Sequence, residues 1–81
     1  MRIKIFVTPR QGILDPQGRA VGAALANLGF GGVSDVHLGR YIVFALDAPS
    51  RAAAEESVRK MCEQLLANPI IEDYRFEVEP E

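Results

Sequence analysis

The chain predicts an α+β fold with the element order β-α-β-β-α-β, and three observations carry that expectation. Both ends alternate apolar and polar residues at strand period: Ile3, Ile5 and Val7 near the start, Tyr74, Phe76 and Val78 near the finish. Two helical stripes lie between them, each behind a start signal, Asp15-Pro16 and Pro49-Ser50. Between the stripes, residues 41–46 (Tyr-Ile-Val-Phe-Ala-Leu) form an apolar run too short for a helix. Two short βαβ-like halves joined by a hairpin suggest the ferredoxin-like split βαβ arrangement. It is a two-layer sandwich in which an antiparallel sheet carries both helices on one face.

Each element has a local reason. In residues 2–8 the row Ile3, Ile5, Val7 opposes Lys4, Phe6 and Thr8, and Pro9 ends the strand because it brings no ladder N–H. Asp15 suits an N-cap, its carboxylate accepting from the free amides of the first turn, and Pro16 sacrifices no intrahelical donor there. Ala20, Val21, Ala24, Leu25 and Leu28 form the apolar stripe of that helix, and Gly29 stops it. Residues 33–38 read as a second strand with Val36 and Leu38 inward. Gly39-Arg40 reads as a two-residue turn, with glycine where a type II′ hairpin requires it. The third strand, 41–46, is apolar on both faces, as central strands covered on both sides are. Ser50 caps the second helix, whose stripe is Ala54, Val58, Met61, Cys62, Leu65 and Leu66. Glu55–Arg59 and Glu56–Lys60 are spaced as solvent-side ion pairs. Asn68-Pro69 ends the helix, and the last strand is half exposed.

Two helices cover one face of a four-stranded sheet, so the opposite face is expected to show Phe6 and one row of the third strand. An apolar patch of that size marks an interface, and a homo-oligomer that buries it is expected. The composition fits a single domain over residues 1–81, with 48% hydrophobic residues and no tryptophan. A net charge of −2 and nine scattered basic residues speak against a nucleic-acid binder, whose phosphate contacts need a basic face. The chain starts on a strand pattern rather than a signal-peptide core, and no run of about 18 apolar residues occurs, so a cytoplasmic, non-membrane protein is expected.

No catalytic constellation emerges. The single cysteine, Cys62, is in register with the second stripe and reads as a buried core thiol. His37 is the only histidine and reads as a solvated strand residue, with no second ligand or nucleophile spaced near it. Glu77, Glu79 and Glu81 alternate as a solvated edge that discourages aggregation. Gly12 and Gly18 flank a helix start and could cradle a phosphate with help from Arg10 or Arg19, but Asp15 repels an anion there and the spacing fits no phosphate-loop or dinucleotide pattern. The other reading is that Gly12 permits a sharp loop and Gly18 a close helix approach. Aromatics around 39–44, with Phe6, loosely match an RNA-recognition sheet, yet Tyr41 and Phe44 fall on opposite faces. No catalytic, cofactor or metal site is therefore expected in this chain. The polar edge around the first helix start, with Arg10, Gln11, Gln17 and Arg19, is the candidate partner-binding surface. A free-standing small-molecule-sensing domain of the same fold is the alternative.

One stretch carries a family resemblance. Gly12-Ile13-Leu14-Asp15-Pro16-Gln17-Gly18, followed by the helix segment Ala24-Leu25-Ala26-Asn27-Leu28-Gly29, resembles the PurS family, the small subunit of formylglycinamide ribonucleotide amidotransferase (phosphoribosylformylglycinamidine synthase). Leu65-Leu66-Ala67-Asn68-Pro69-Ile70-Ile71-Glu72-Asp73-Tyr74 is similar to that family's second helix end and last strand. Val36-His37-Leu38-Gly39-Arg40 resembles its central hairpin, although the family more often has Arg and Lys at the places of His37 and Arg40. Thr8-Pro9-Arg10 and Gly31-Gly32 depart from the pattern. The resemblance implies a subunit of a ligase of purine biosynthesis that forms a C–N bond with glutamine as nitrogen donor. Its partners would be a synthetase, which uses ATP and Mg, and a glutaminase, which holds the nucleophilic cysteine. The small subunit is implied to bridge them and support ammonia transfer, with no cofactor of its own.

Overall fold

The computed structural model describes residues 1–12 and 15–80; Ile13 and Leu14 of the family-like motif and Glu81 of the acidic edge lie outside the described residues. The elements in chain order are β1 (Arg2–Pro9), α1 (Pro16–Asn27), β2 (Arg40–Ala45), α2 (Arg51–Met61) and β3 (Glu72–Glu79), and a π-helical turn (Cys62–Leu66) extends α2. β1 is central, paired antiparallel with β2 through Ile3↔Phe44 and Ile5↔Ile42 and with β3 through Ile3↔Val78 and Ile5↔Phe76. The α+β class and the antiparallel sheet are as the sequence predicts.

The register decides the faces. Ile3, Ile5 and Val7 are buried with Val78 beneath Ala54, Val58 and Cys62, while Ile42, Phe44, Tyr74 and Phe76 pack around them half-buried. α2 earns its place by sequence: Ser50 Oγ accepts from Ala53 N–H, and Ala54, Val58 and Cys62 recur at helical spacing. Burial pushes the Cys62 thiol up, in keeping with a core role. On the outer face Phe6 stacks on Tyr41 at 4.9 Å between centroids, Arg75 sits 3.9 Å over the Phe6 ring, and Lys4 pairs with Glu79 at 2.8 Å. Tyr41 and Val43 remain exposed there, as the sequence predicts for the uncovered face.

Five local expectations are corrected. Residues 33–38 are not a strand: Asp35 takes a positive φ of 56°, a left-handed conformation that an extended strand cannot run through. Gly39-Arg40 is not a turn, since Arg40 already pairs with Val7 and the chain runs straight into β2. β2 is consequently an edge strand rather than a central one. Leu65, placed in the buried stripe, is 81% exposed, because the π turn, closed by Ala67 N–H to Cys62 O at 3.0 Å, rotates the last helical residues. Glu55 pairs with Arg51 instead of Arg59, whose guanidinium lies over the Phe76 ring; Glu56–Lys60 forms as expected.

The largest departure is α1. Its boundaries are as predicted, with the Asp15 cap and a C-terminus closed by Gly29 N–H to Ala26 O and Phe30 N–H to Leu25 O, Gly29 adopting φ 98°. Yet only α2 packs on the sheet; α1 projects beyond it as an arm, with Val21 and Leu25 half-buried and Leu28 73% exposed. The chain spans 50 × 27 × 14 Å, and its radius of gyration is 16.0 Å where a compact domain of this length has about 12 Å. The core lies between α2, with its π turn, and the sheet, chiefly β1, so Ile5→Ala should cost about 2–5 kcal/mol in urea unfolding, by lost transfer energy plus a cavity.

Candidate functional site

The arm is held to the sheet end by one carboxylate. Asp15 Oδ1 accepts from Gly18 N–H at 2.9 Å, as the N-cap reading requires, and Oδ2 accepts from Leu38 N–H at 2.9 Å, across the chain. Its side chain is only 10% exposed. The Gly18 amide, then the Leu38 amide, then His37 hold the Asp15 carboxyl below its ordinary value. Gly18 allows this approach: a Cβ there would collide with the Val36 carbonyl oxygen, and Gly22 faces the Val36 side chain. Gly39 likewise lies against the Val7 carbonyl, where a Cβ would not fit. Gly12 takes φ 85°, the sharp loop expected of it.

A cleft of about 630 Å³ opens beside this contact, between the first turns of α1 and residues 33–37. Gln11 and Arg19 line it with Asp35 and His37. Arg10 is elsewhere: its Nε is 3.3 Å from Asp73 and bonds the Glu72 carbonyl, so it fastens the loop to β3. Gln17 is exposed on the first turn of α1. The structure therefore brings Gln11 and Arg19 together and assigns Arg10 to the fold. His37 is exposed, as its sequence reading as a solvated residue expects, though it lies outside any strand, and its ring stands between Asp15 and Asp35. The Asp35-x-His37 spacing was visible in the sequence; the approach of Asp15 was not.

A second cluster sits at the start of β2, just past Leu38. Arg40 Nη2 donates to Leu66 O at 3.0 Å and to Glu72 Oε1 at 2.8 Å, and that oxygen also accepts Asn68 N–H at 2.7 Å. The starts of β2 and β3 are thus tied to the end of the π turn. Nearby, Phe44, Leu46, Met61, Leu65 and Leu66 line an apolar groove between α2 and the β2 edge. A packed α1 would occupy this place in a closed split βαβ fold. Among the described residues no group of three His, Cys, Asp or Glu converges as metal ligands would. Among the described residues no helix is long and apolar enough to cross a membrane.

These features define a small α+β protein of the ferredoxin-like class whose first helix stands off its own sheet. Within that class the chain belongs to the PurS family: the family description "Phosphoribosylformylglycinamidine (FGAM) synthase" matches residues 2–80. It is 49% identical over 75 residues to phosphoribosylformylglycinamidine synthase subunit PurS of Synechocystis, covering 93% of this chain and 75% of that one. The crystal structure of PurS from Bacillus subtilis superposes with a TM-score of 0.87 at 42% identity over 98% of each chain, a likeness that takes in the arm as well as the sheet. A chain of PurLQS from Thermotoga maritima superposes with a TM-score of 0.85 at 32% identity, covering 94% of this chain and 93% of that one.

Two outcomes test the fastening. Because the folded pKa of Asp15 is depressed, its contribution is present above the ordinary carboxylate pKa and lost as pH falls through the lowered folded value. The Leu38 and Gly18 amide resonances should therefore hold their positions down through about pH 4 and shift only below it. In Asp15→Ala they should already be displaced at neutral pH. Gly18→Ala should displace the Leu38 amide likewise while leaving the β1 amides unchanged, since the collision is confined to the arm.

Proposed function

We propose that this chain is the non-catalytic assembly subunit of a glutamine- and ATP-dependent FGAM synthase, joining the synthetase and glutaminase and supporting ammonia transfer between them. Family membership supports the reaction, and a chain of the PurLQS structure from Thermotoga maritima resembles this one along nearly its whole length. The observation that carries the assembly role is the uncovered arm. The end of α1 and the segment after it turn Leu28, Phe30 and Val33 to solvent while the groove along α2 stays open. A protomer with both an apolar arm and an empty seat is complete only against another chain, so the subunit acts as a homo-oligomer in which a second copy covers the arm. ATP and Mg belong to the synthetase and the glutamine-cleaving nucleophile to the glutaminase; this chain binds no cofactor and works in the cytoplasm.

Its partner surface is the polar edge of the arm, where Gln11, Gln17 and Arg19 are exposed and Arg19 has no ion-pair partner among the described residues. Arg10 acts there by holding the loop to Asp73. Replacing Gln17 and Arg19 together by Ala should weaken binding to the synthetase–glutaminase pair in sedimentation, with the unfolding midpoint unchanged.

Reconstitution provides the deciding measurement. Synthetase plus glutaminase should lose glutamine-dependent product when this chain is omitted, and free ammonia should partly restore it, because ammonia bypasses delivery. Glutamine-dependent synthesis that persists without the chain would sink the assembly role. Light scattering should find at least a dimer at micromolar concentration. Leu28→Lys should dissociate it, since a charge buried unpaired in that contact costs on the order of 3–5 kcal/mol.

A further inference from the structure

We propose that the sheet face opposite α2 is a second self-association surface, on which another copy of this chain packs about a twofold axis running across the strands. The register fixes what that face shows. Lys4 stands between Val43 of β2 and Glu77 of β3, and in the next row Phe6 stands between Tyr41 and Arg75. Tyr41 is 57% and Val43 40% exposed. The apolar end of α1 and the groove beside α2 lie elsewhere, so a second chain that covers the arm leaves these two rows in water.

The two rows complement each other. A twofold axis between them sets Lys4 over the partner's Phe6, Val43 over the partner's Tyr41 and Arg75 over the partner's Glu77, each contact occurring twice as an isologous interface requires. These contacts extend ones each protomer already makes, since Arg75 lies 3.9 Å over the Phe6 ring and 3.3 Å from Glu77. Arg75 and Glu77 of two copies thereby close a ring of alternating charge. At the ends of the face Glu79 meets the partner's Asp73, but both carboxylates are neutralised within their own chain, by Lys4 at 2.8 Å and Arg10 at 3.3 Å. An axis along the strands would lay the apolar column of β2 on the charged column of β3 and crowd both arms at one end. Across the strands the arms, which leave the sheet between Pro9 and Arg40, point opposite ways. Size sets the strength. Three strands about 4.8 Å apart and about 22 Å long offer on the order of 300 Å² a side, below what a stable complex buries, so the contact is reversible and forms at high concentration.

Light scattering across concentration tests the face. The wild-type mass should rise about two-fold between about 10 μM and about 1 mM, the range of a weak contact. Arg75→Glu and Glu77→Arg each set like charges against one another across the axis. Each should hold the mass flat, with urea unfolding checking that the variant is folded. Mixed one to one, the two variants regain opposite charges and should recover the rise. Leu28→Lys, which acts on the arm, should keep the rise, so this surface and the assembly role fail separately. A flat wild-type mass, a rise that survives in either single variant, or a mixture that stays flat overturns the proposal. A flat wild type whose variants lose binding to the synthetase–glutaminase pair also overturns it, for the occupant is then a partner subunit.

Discussion

Because β1 alone has a hydrogen-bonded neighbour on each side, its alternation dictates both faces of the sheet. Ile3, Ile5 and Val7 point one way and oblige α2 to cover them; Lys4 and Phe6 point the other way and gather Glu79, Tyr41 and Arg75. Period-two geometry allows no mixture, since a one-residue slip would carry the whole apolar row into water. The core is accordingly a single layer of contacts between one strand and one helix, with Val78 and Phe76 drawn in by register. Nothing in that core requires α1.

The arm follows from a competition for the chain after α1. A hairpin at Gly39-Arg40 would have folded residues 33–38 back along β2. Instead Asp15 takes the Leu38 amide, Gly18 admits the Val36 carbonyl, and Arg40 is claimed by Leu66 and Glu72 at the other side. With both flanks of residue 39 engaged, the chain runs straight and α1 is carried off the sheet. The same set of contacts leaves the groove between α2 and β2 empty. The chain thus separates its folding core, closed by α2, from the arm and the open groove.

The π turn works in the same direction. By rotating Leu65 outward it widens the apolar rim beside Leu46 and Met61, while Cys62 and Ala67 stay beneath the sheet and Tyr74 holds Glu63 from β3 at 2.8 Å. A regular helical turn there would have preserved the predicted stripe and closed part of the groove.

Residues that act within one element were legible from the start. The alternations of β1 and β3, the caps at Asp15 and Ser50, the stop at Gly29 and the buried thiol of Cys62 all follow from period, side-chain chemistry and backbone allowance, which are local properties. The family could be recognised for the same reason, since its motif lies in a loop and helix start whose chemistry is local. Three things waited for the tertiary structure: the lost strand at 33–38, the arm standing off the sheet, and His37 set between two carboxylates. Each depends on which of several competing partners a group finds across the chain. Asp15 could have capped its helix and done nothing more. Only the folded chain brings Leu38 N–H and the imidazole to its second oxygen, and no local pattern records that distance.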